Sequence, residues 1–147
     1  MTGTINNPAP SISDPQADVA AILSRYRTVA VVGLSPKAHR DSFEVAQYMQ
    51  SQGWHIVPIN PNASQILGET CYPSLIEAAR HHAIELVDVF RNSADVPPVV
   101  ADAITIGAKA VWLQLGIVHE TAAQQARDAG LLVVQDKCLL VEHRRKG

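Results

Sequence analysis

Three polar side chains, Ser35, Lys37 and Arg40, follow an apolar, β-branched run that ends at Gly33. The run, Thr28–Val32, is typical of a fully buried strand, and a helical pattern begins directly after the polar turn. A turn that leads into a helix presents unpaired backbone N–H groups, and the helix dipole adds roughly half a positive charge. Because the turn also carries a lysine and an arginine, it predicts a binding site for a phosphorylated ligand.

Further polar residues follow the other predicted strands. The second strand is expected to end in Asn60-Pro61, the third in Arg91, and the fourth in Gln114 and Gly116. In open α/β sheets, ligands bind outside the carboxyl ends of the strands, at the point where the strand order reverses. Three cations and several amides at one edge therefore favour a ligand site there over ordinary loop polarity.

The elements that position these residues are five apolar strands alternating with helices. The predicted strands are Thr28–Val32, 54–59, 85–90, Ala110–Leu113 and 131–134. The predicted helices begin at Pro15, at Asp41, after a cap at Ser74, after a cap at Ser93 or Asn92, and at His119. Parallel strands with helices on both faces explain this alternation. We expect a three-layer, doubly wound, Rossmann-like α/β fold with a five-stranded, mainly parallel sheet of order 3-2-1-4-5.

The sequence also supports predictions for single segments of the chain. Asp41 and Glu44 are placed like a capping box at the start of the second helix. Residues 138–141 are interpreted as an extension of the sheet edge, and residues 143–146 as a short, solvated basic tail. Residues 1–14, which are rich in Pro, Ser, Asn and Thr, are predicted to be a disordered tail, with residues 15–147 as a single domain.

Composition excludes several classes of function. The chain has 147 residues, of which 47% are hydrophobic, and a net charge of −2, so nothing predicts a nucleic-acid surface. No apolar run approaches the ~20 residues of a membrane span, and the N-terminus lacks the pattern of a signal peptide. The two cysteines, Cys71 and Cys138, match no metal or redox spacing. We expect a cytoplasmic protein with a small-molecule ligand, no metal and no membrane or nucleic-acid partner.

A nicotinamide dinucleotide fits the glycine turn poorly. The dinucleotide fingerprint requires G-x-G-x-x-G, and here Ser35 and Ala38 replace the second and third glycines. The fingerprint also requires an acidic residue near the end of the second strand, where this chain has Asn60-Pro61. A small NAD(P)-binding, oxidoreductase-like protein is kept as an alternative.

Several ordered segments resemble one family of proteins. They are VVGLSPKAHRDS at 31–42, VPINPN at 57–62, ILGETCYPSL at 66–75, DVFR at 88–91, AVWLQLGIVHE at 110–120 and AGLLVVQDKCLLVEHRR at 129–145. Over residues 19–145 the chain resembles the stand-alone coenzyme A-binding domain proteins, a bacterial and archaeal family related to the CoA-binding domain of succinyl-CoA synthetase α-subunits. The resemblance implies a Rossmann-like domain that holds coenzyme A.

The resemblance also implies a set of binding residues. By motif position, the phosphates would be held by Gly33, Ser35, Lys37 and Arg40. Leu34 and Ser42 are also expected to contact the cofactor. Asn60 and Pro61 would line the wall beside them. Phe90, Arg91 and Val96 would lie near the base and ribose, and residues 114–117, with Gln114, Gly116 and Ile117, would border the exit for the pantetheine arm.

The second domain that carries a phosphohistidine in the synthetases has no counterpart here, so their activity is not transferred. Residues 33–37 nearly form a G-x-S-x-G elbow, but Lys37 replaces the second glycine. His81 and His82 are adjacent and cannot present two ligands on one helical face. Lys137 could activate Cys138, although a buried structural thiol explains that cysteine better.

The sequence thus favours a binding module for CoA or an acyl-CoA over an enzyme. A component of a partner-dependent acyl-CoA enzyme, and a regulatory or scaffolding protein whose partner surface reports CoA occupancy, are kept as alternatives. A protein partner or a homodimer is left open.

Overall fold

Strands and helices alternate around a five-stranded parallel sheet in the computed structural model, which describes residues 14–146. The strands are β1 (Thr28–Val32), β2 (His55–Ile59), β3 (Gln65–Ile66), β4 (Glu69–Thr70), β5 (Leu86–Val89), β6 (Ala110–Leu113) and β7 (Leu132–Val134). The helices are α1 (Pro15–Arg25), α2 (Asp41–Ser51), α3 (Leu75–Ala78), α4 (Val96–Thr105), α5 (Glu120–Asp128) and α6 (Leu139–Lys146). The predicted Rossmann-like α/β class is confirmed.

The strand order of the sheet is β2-β1-β5-β6-β7, and β3 pairs with β4 in a separate antiparallel hairpin. Beyond β4, Tyr72 forms a parallel bridge with Ile59, in which the Tyr72 N–H donates to the Pro58 carbonyl at 3.0 Å. If this segment is counted as a third strand, outside β2, the sheet follows the predicted order 3-2-1-4-5. In that numbering β5, β6 and β7 are the fourth, fifth and sixth strands. Residues 85–90, predicted as the third strand, therefore lie beside β1 instead of at the sheet edge.

Both faces of the sheet are covered because successive residues of each strand point to opposite sides. Ala30 and Val32 belong to the apolar cluster that includes residues of α3, α4 and α5. Val29 and Val31 belong to the second cluster, with residues of α1, α2 and α6. All four side chains are less than 5% exposed, the pattern expected for a central parallel strand.

The C-terminal segment differs from its prediction. Residues 138–141 do not extend the sheet, and residues 143–146 are not a tail, because both belong to the segment that forms α6. Leu139 and Glu142 are buried whereas Val141 is exposed, so the burial pattern has the three-residue spacing of a helix and lacks the alternation of a strand. The helix packs against α2, where the Tyr48 hydroxyl lies 2.8 Å from His143 Nδ1.

The helix starts are predicted with mixed success. Ser74 caps α3 as expected, since its Oγ accepts a hydrogen bond from the Glu77 N–H at 3.2 Å. The capping box predicted for α2 is wrong: the N-cap residue is Arg40, with no side-chain cap hydrogen bond. The predicted tail of residues 1–14 lies outside the described residues except for Asp14, which caps α1. No helix within residues 14–146 combines the length and the apolar character needed to cross a membrane.

Candidate ligand-binding site

Gly33 stands where β1 meets its two neighbours at their carboxyl ends. Its N–H donates to the Ile59 carbonyl at 3.1 Å, and the Phe90 N–H donates to the Val32 carbonyl at 2.9 Å. The φ of Gly33 is 86°, and a Cβ at this position would lie 2.2 Å from the Phe90 carbonyl oxygen. Only glycine fits this close approach. The result is a crevice between β1 and β5, where the strand order reverses.

Side-chain hydroxyls hold the polar turn that follows. The Ser35 N–H donates to Ser42 Oγ at 3.0 Å, and the Lys37 N–H donates to Ser35 Oγ at 3.1 Å. From the second strand, Asn60 Nδ2 donates to the Leu34 carbonyl at 2.9 Å. The turn is therefore fixed to both α2 and β2. Since these N–H groups already have acceptors, side chains and the first turn of α2 are left to bind an anion.

The turn and the start of α2 enclose a cavity of about 630 Å³, here called the turn cavity. Its lining residues are Gly33, Ser35, Lys37, His39, Arg40, Asp41, Ser42 and Phe90. Six of these eight were predicted as site residues, so the structure brings the centre of the predicted site together.

The turn cavity is electropositive on balance. Lys37 and Arg40 are exposed, and within residues 14–146 neither forms a salt bridge. The start of α2 has no side-chain cap, so its N–H groups add the positive end of the helix dipole. Asp41 in the same turn has the opposite charge and partly offsets it. A ligand with several negative charges fits this arrangement.

A second cavity, of about 430 Å³, shares Asp41 and Phe90 with the turn cavity. It lies between α2, the end of β6 and α6, and is here called the apolar cavity. Its other lining residues are Glu44, Val45, Gln114, Leu115, Ile117, Cys138, Leu140, Val141 and Arg144. The two cavities are therefore neighbours at the carboxyl edge of the sheet.

A buried acid supports the inner wall of the apolar cavity. Gln114 Nε2 donates to Asp88 Oδ1 at 2.7 Å, and Gln114 Oε1 accepts from the Leu139 N–H at 3.4 Å. Asp88 is 1% exposed, and its Oδ2 has no hydrogen-bond partner. Burial raises the pKa of Asp88 to about 7, against the lowering effect of the Gln114 hydrogen bond. The Gln114 amide is thus committed to the protein interior.

Of the remaining predicted residues, only Gln114 and Ile117 line a cavity described above. Leu34 and Val96 are fully buried in the two core clusters, so their side chains are packed in the protein. Pro61, Arg91 and Gly116 are exposed and line neither cavity. Asn60 contacts the turn through its hydrogen bond but does not line a cavity, whereas Ile117 and Gln114 line the apolar cavity.

Sequence reasoning missed the residues that α6 contributes. Leu140, Val141 and Arg144 of α6 line the apolar cavity together with the preceding Cys138, whereas the sequence pattern predicts a sheet edge at residues 138–141. His39 was also missed, although its position between Lys37 and Arg40 was a usable signal. Within the described part of the chain, no group of three or more His, Cys, Asp or Glu side chains could hold a metal ion.

Comparison with protein families gives one match over most of the chain. The model of the CoA binding domain matches residues 27–144, which include both cavities.

Three similar proteins illustrate the breadth of this match. An uncharacterized Bacillus subtilis protein, YneT, is 37% identical over 128 residues, which are 87% of this chain and 93% of that protein. ADP-forming acetate–CoA ligase II of Archaeoglobus fulgidus is 31% identical over 97 residues, which are 64% of this chain but 14% of the ligase. A solved structure of a hypothetical protein from Pyrococcus horikoshii OT3 aligns with a TM-score of 0.85 and 35% identity, covering 96% of this chain and 98% of that one.

Proposed function

The chain belongs to the family of the CoA binding domain, and on this premise we propose that it binds coenzyme A, with the phosphates of the ligand in the turn cavity. The observation that carries the proposal is the pair of cations, Lys37 and Arg40, that form no salt bridge within the described residues and stand beside the uncapped start of α2. Coenzyme A carries a diphosphate and a ribose phosphate, which supply the multiple negative charges that this cavity fits.

The rest of the nucleotide follows the edge of the sheet. Asn60 supports the turn beside the phosphates through its hydrogen bond to the Leu34 carbonyl, and Phe90, which lines both cavities, lies towards the base and ribose. Pro61 and Arg91 stand outside both cavities, so the proposed contacts do not include them. The pantetheine arm follows the rim past residues 114–117, and its sulfur end is directed towards the apolar cavity, which adjoins the turn cavity at Phe90. The proposal does not use the side chains of Leu34 and Val96, because both are buried in the core.

We propose CoA binding alone, by one domain that comprises residues 15–147. The acetate–CoA ligase shares 14% of its length with this chain. The activity of the whole ligase is therefore not part of the proposal.

Replacing Arg40 tests the proposal. Because a charge-assisted hydrogen bond contributes about 1.5–3 kcal/mol, we expect Arg40→Ala to weaken CoA binding by roughly 10- to 150-fold in isothermal titration calorimetry. Arg25→Ala is the matched control, since Arg25 is an exposed arginine in the last turn of α1 that lines neither cavity. Equal affinities of Arg40→Ala, Arg25→Ala and the parent protein would remove Arg40 from the site.

A further inference from the structure

The wall of the apolar cavity contains apolar side chains that the fold leaves in solvent. Leu115 is 70% exposed and Val141 is 39% exposed, and both line this cavity. Among the described residues only four large apolar side chains are exposed, the other two being Ile76 and Val118. A single exposed apolar side chain is ordinary, but Leu115 and Val141 line the same cavity and so place exposed apolar surface at one site.

The interior of this cavity has few groups that could serve a polar ligand. The amide of Gln114 is committed to Asp88 and to the Leu139 N–H. Its charged residues, Asp41, Glu44 and Arg144, are all exposed to solvent. Moving amide groups of a ligand from water into this cavity would cost free energy, because they would lose hydrogen bonds to water. Burying an aliphatic group there would be favourable.

The position of the apolar cavity beside the turn cavity determines which part of the ligand can reach it. The apolar and turn cavities meet at Asp41 and Phe90. In coenzyme A the phosphates and the sulfur stand at opposite ends of the pantetheine arm, and the arm itself contains two amides. With the phosphates in the turn cavity, the arm lies along the charged rim and the group attached to the sulfur reaches the apolar wall.

We infer that the ligand of this site is an acyl-CoA with an aliphatic acyl group, and that the apolar cavity binds that group between Leu115 and Val141. This inference rests on the proposed function, because it needs the phosphates of the ligand in the turn cavity. The protein is therefore expected to bind the acyl-CoA thioester more tightly than free CoA.

The test is a titration of the full chain with CoA, acetyl-CoA, butyryl-CoA and hexanoyl-CoA. Each methylene that leaves water should strengthen binding by about fourfold, so we expect butyryl-CoA to bind at least about tenfold more tightly than acetyl-CoA. Leu115→Ser and Val141→Ser should each flatten this dependence on chain length. Ile76→Ser is the matched control, because Ile76 is 41% exposed on α3 and lines neither cavity, and it should keep the full dependence.

The outcomes separate the inference from the function on which it rests. If CoA binds and all four ligands have the same affinity, the inference is overturned and the proposed function stands. If Ile76→Ser flattens the dependence as much as Leu115→Ser, the apolar cavity is not the acyl site and the inference also fails. If neither CoA nor any acyl-CoA binds, the proposed function fails and the inference fails with it.

Discussion

Gly33 is a residue on which the geometry of the site depends. Its missing side chain lets β1 approach the Phe90 carbonyl, where any Cβ would lie 2.2 Å from the oxygen. Its φ of 86° turns the chain out of the sheet and towards α2. Both requirements are met by glycine alone, so the crevice at the strand reversal depends on this position.

Replacing Gly33 should therefore cost more than conformational strain. We expect Gly33→Ala to lower the free energy of unfolding by about 3 kcal/mol or more, because it adds a backbone clash to the strain of a positive φ. Gly53→Ala is the matched control: Gly53 has a φ of 91°, but a Cβ there would meet nothing within 4 Å. The control should lose about 1–2 kcal/mol in urea unfolding. Equal losses for the two variants would contradict the clash.

The buried carboxyl group of Asp88 should make the free energy of unfolding depend on pH in a specific way. Its pKa is raised from 3.8 to about 7 in the folded protein, so the folded state holds a proton that the unfolded state releases. Stability is therefore lost as the pH rises from about 4 to about 7, by up to about 4 kcal/mol, and the loss is complete above that range.

The variant Asp88→Asn removes this titration while keeping an acceptor for the Gln114 amide. Relative to the parent protein, the variant should gain stability between about pH 4 and about pH 7. Urea unfolding at several pH values measures the difference. Parallel stability curves for the two proteins would show that Asp88 does not hold a proton in the folded state.

At the scale of elements, the strand–turn–helix unit from β1 to α2 was predictable and its details were not. Thr28–Val32 forms the predicted strand because a β-branched run of this length suits a central parallel strand. The capping box failed because Arg40, directly before the predicted cap, already has the extended backbone of an N-cap residue. Periodicity locates an element well, but which residue caps it depends on the path of the preceding turn.

Helix α6 shows where local pattern is insufficient. The run Cys138–Leu139–Leu140–Val141 has the composition of a short strand, and four residues are too few to distinguish a strand from a helix by periodicity. Tertiary contacts stabilise the helix rather than a strand, because the Leu139 N–H donates to Gln114 Oε1 and α6 packs against α2 and α1. Four of the eleven residues that line the apolar cavity depend on this choice.

Two substitutions distinguish the helix from a strand in solution. In a strand, residues 139 and 141 would point to the same side, whereas α6 buries Leu139 and exposes Val141. We expect Leu139→Ala to cost about 2–5 kcal/mol and Val141→Ala to cost less than about 1 kcal/mol. Chemical denaturation provides the comparison, and a similar cost for both variants would argue for the strand.

At the scale of the whole molecule, the fold class followed from the alternation of apolar strands and helices. The place of the strand reversal was also predicted, and with it the edge where the turn cavity lies. Which strand lies next to β1 was not predictable from the count of strands, because the short extended segment ending at Tyr72 takes the outer position beside β2. The second cavity likewise requires two distant parts of the chain, β6 and α6, to meet.

Whether this site binds coenzyme A is decided by isothermal titration of the full chain with CoA, with NAD⁺ and NADP⁺ as parallel ligands. We expect saturable micromolar binding of CoA and no heat from either dinucleotide. Binding of a dinucleotide without CoA, or no binding of any of the three, would contradict this expectation.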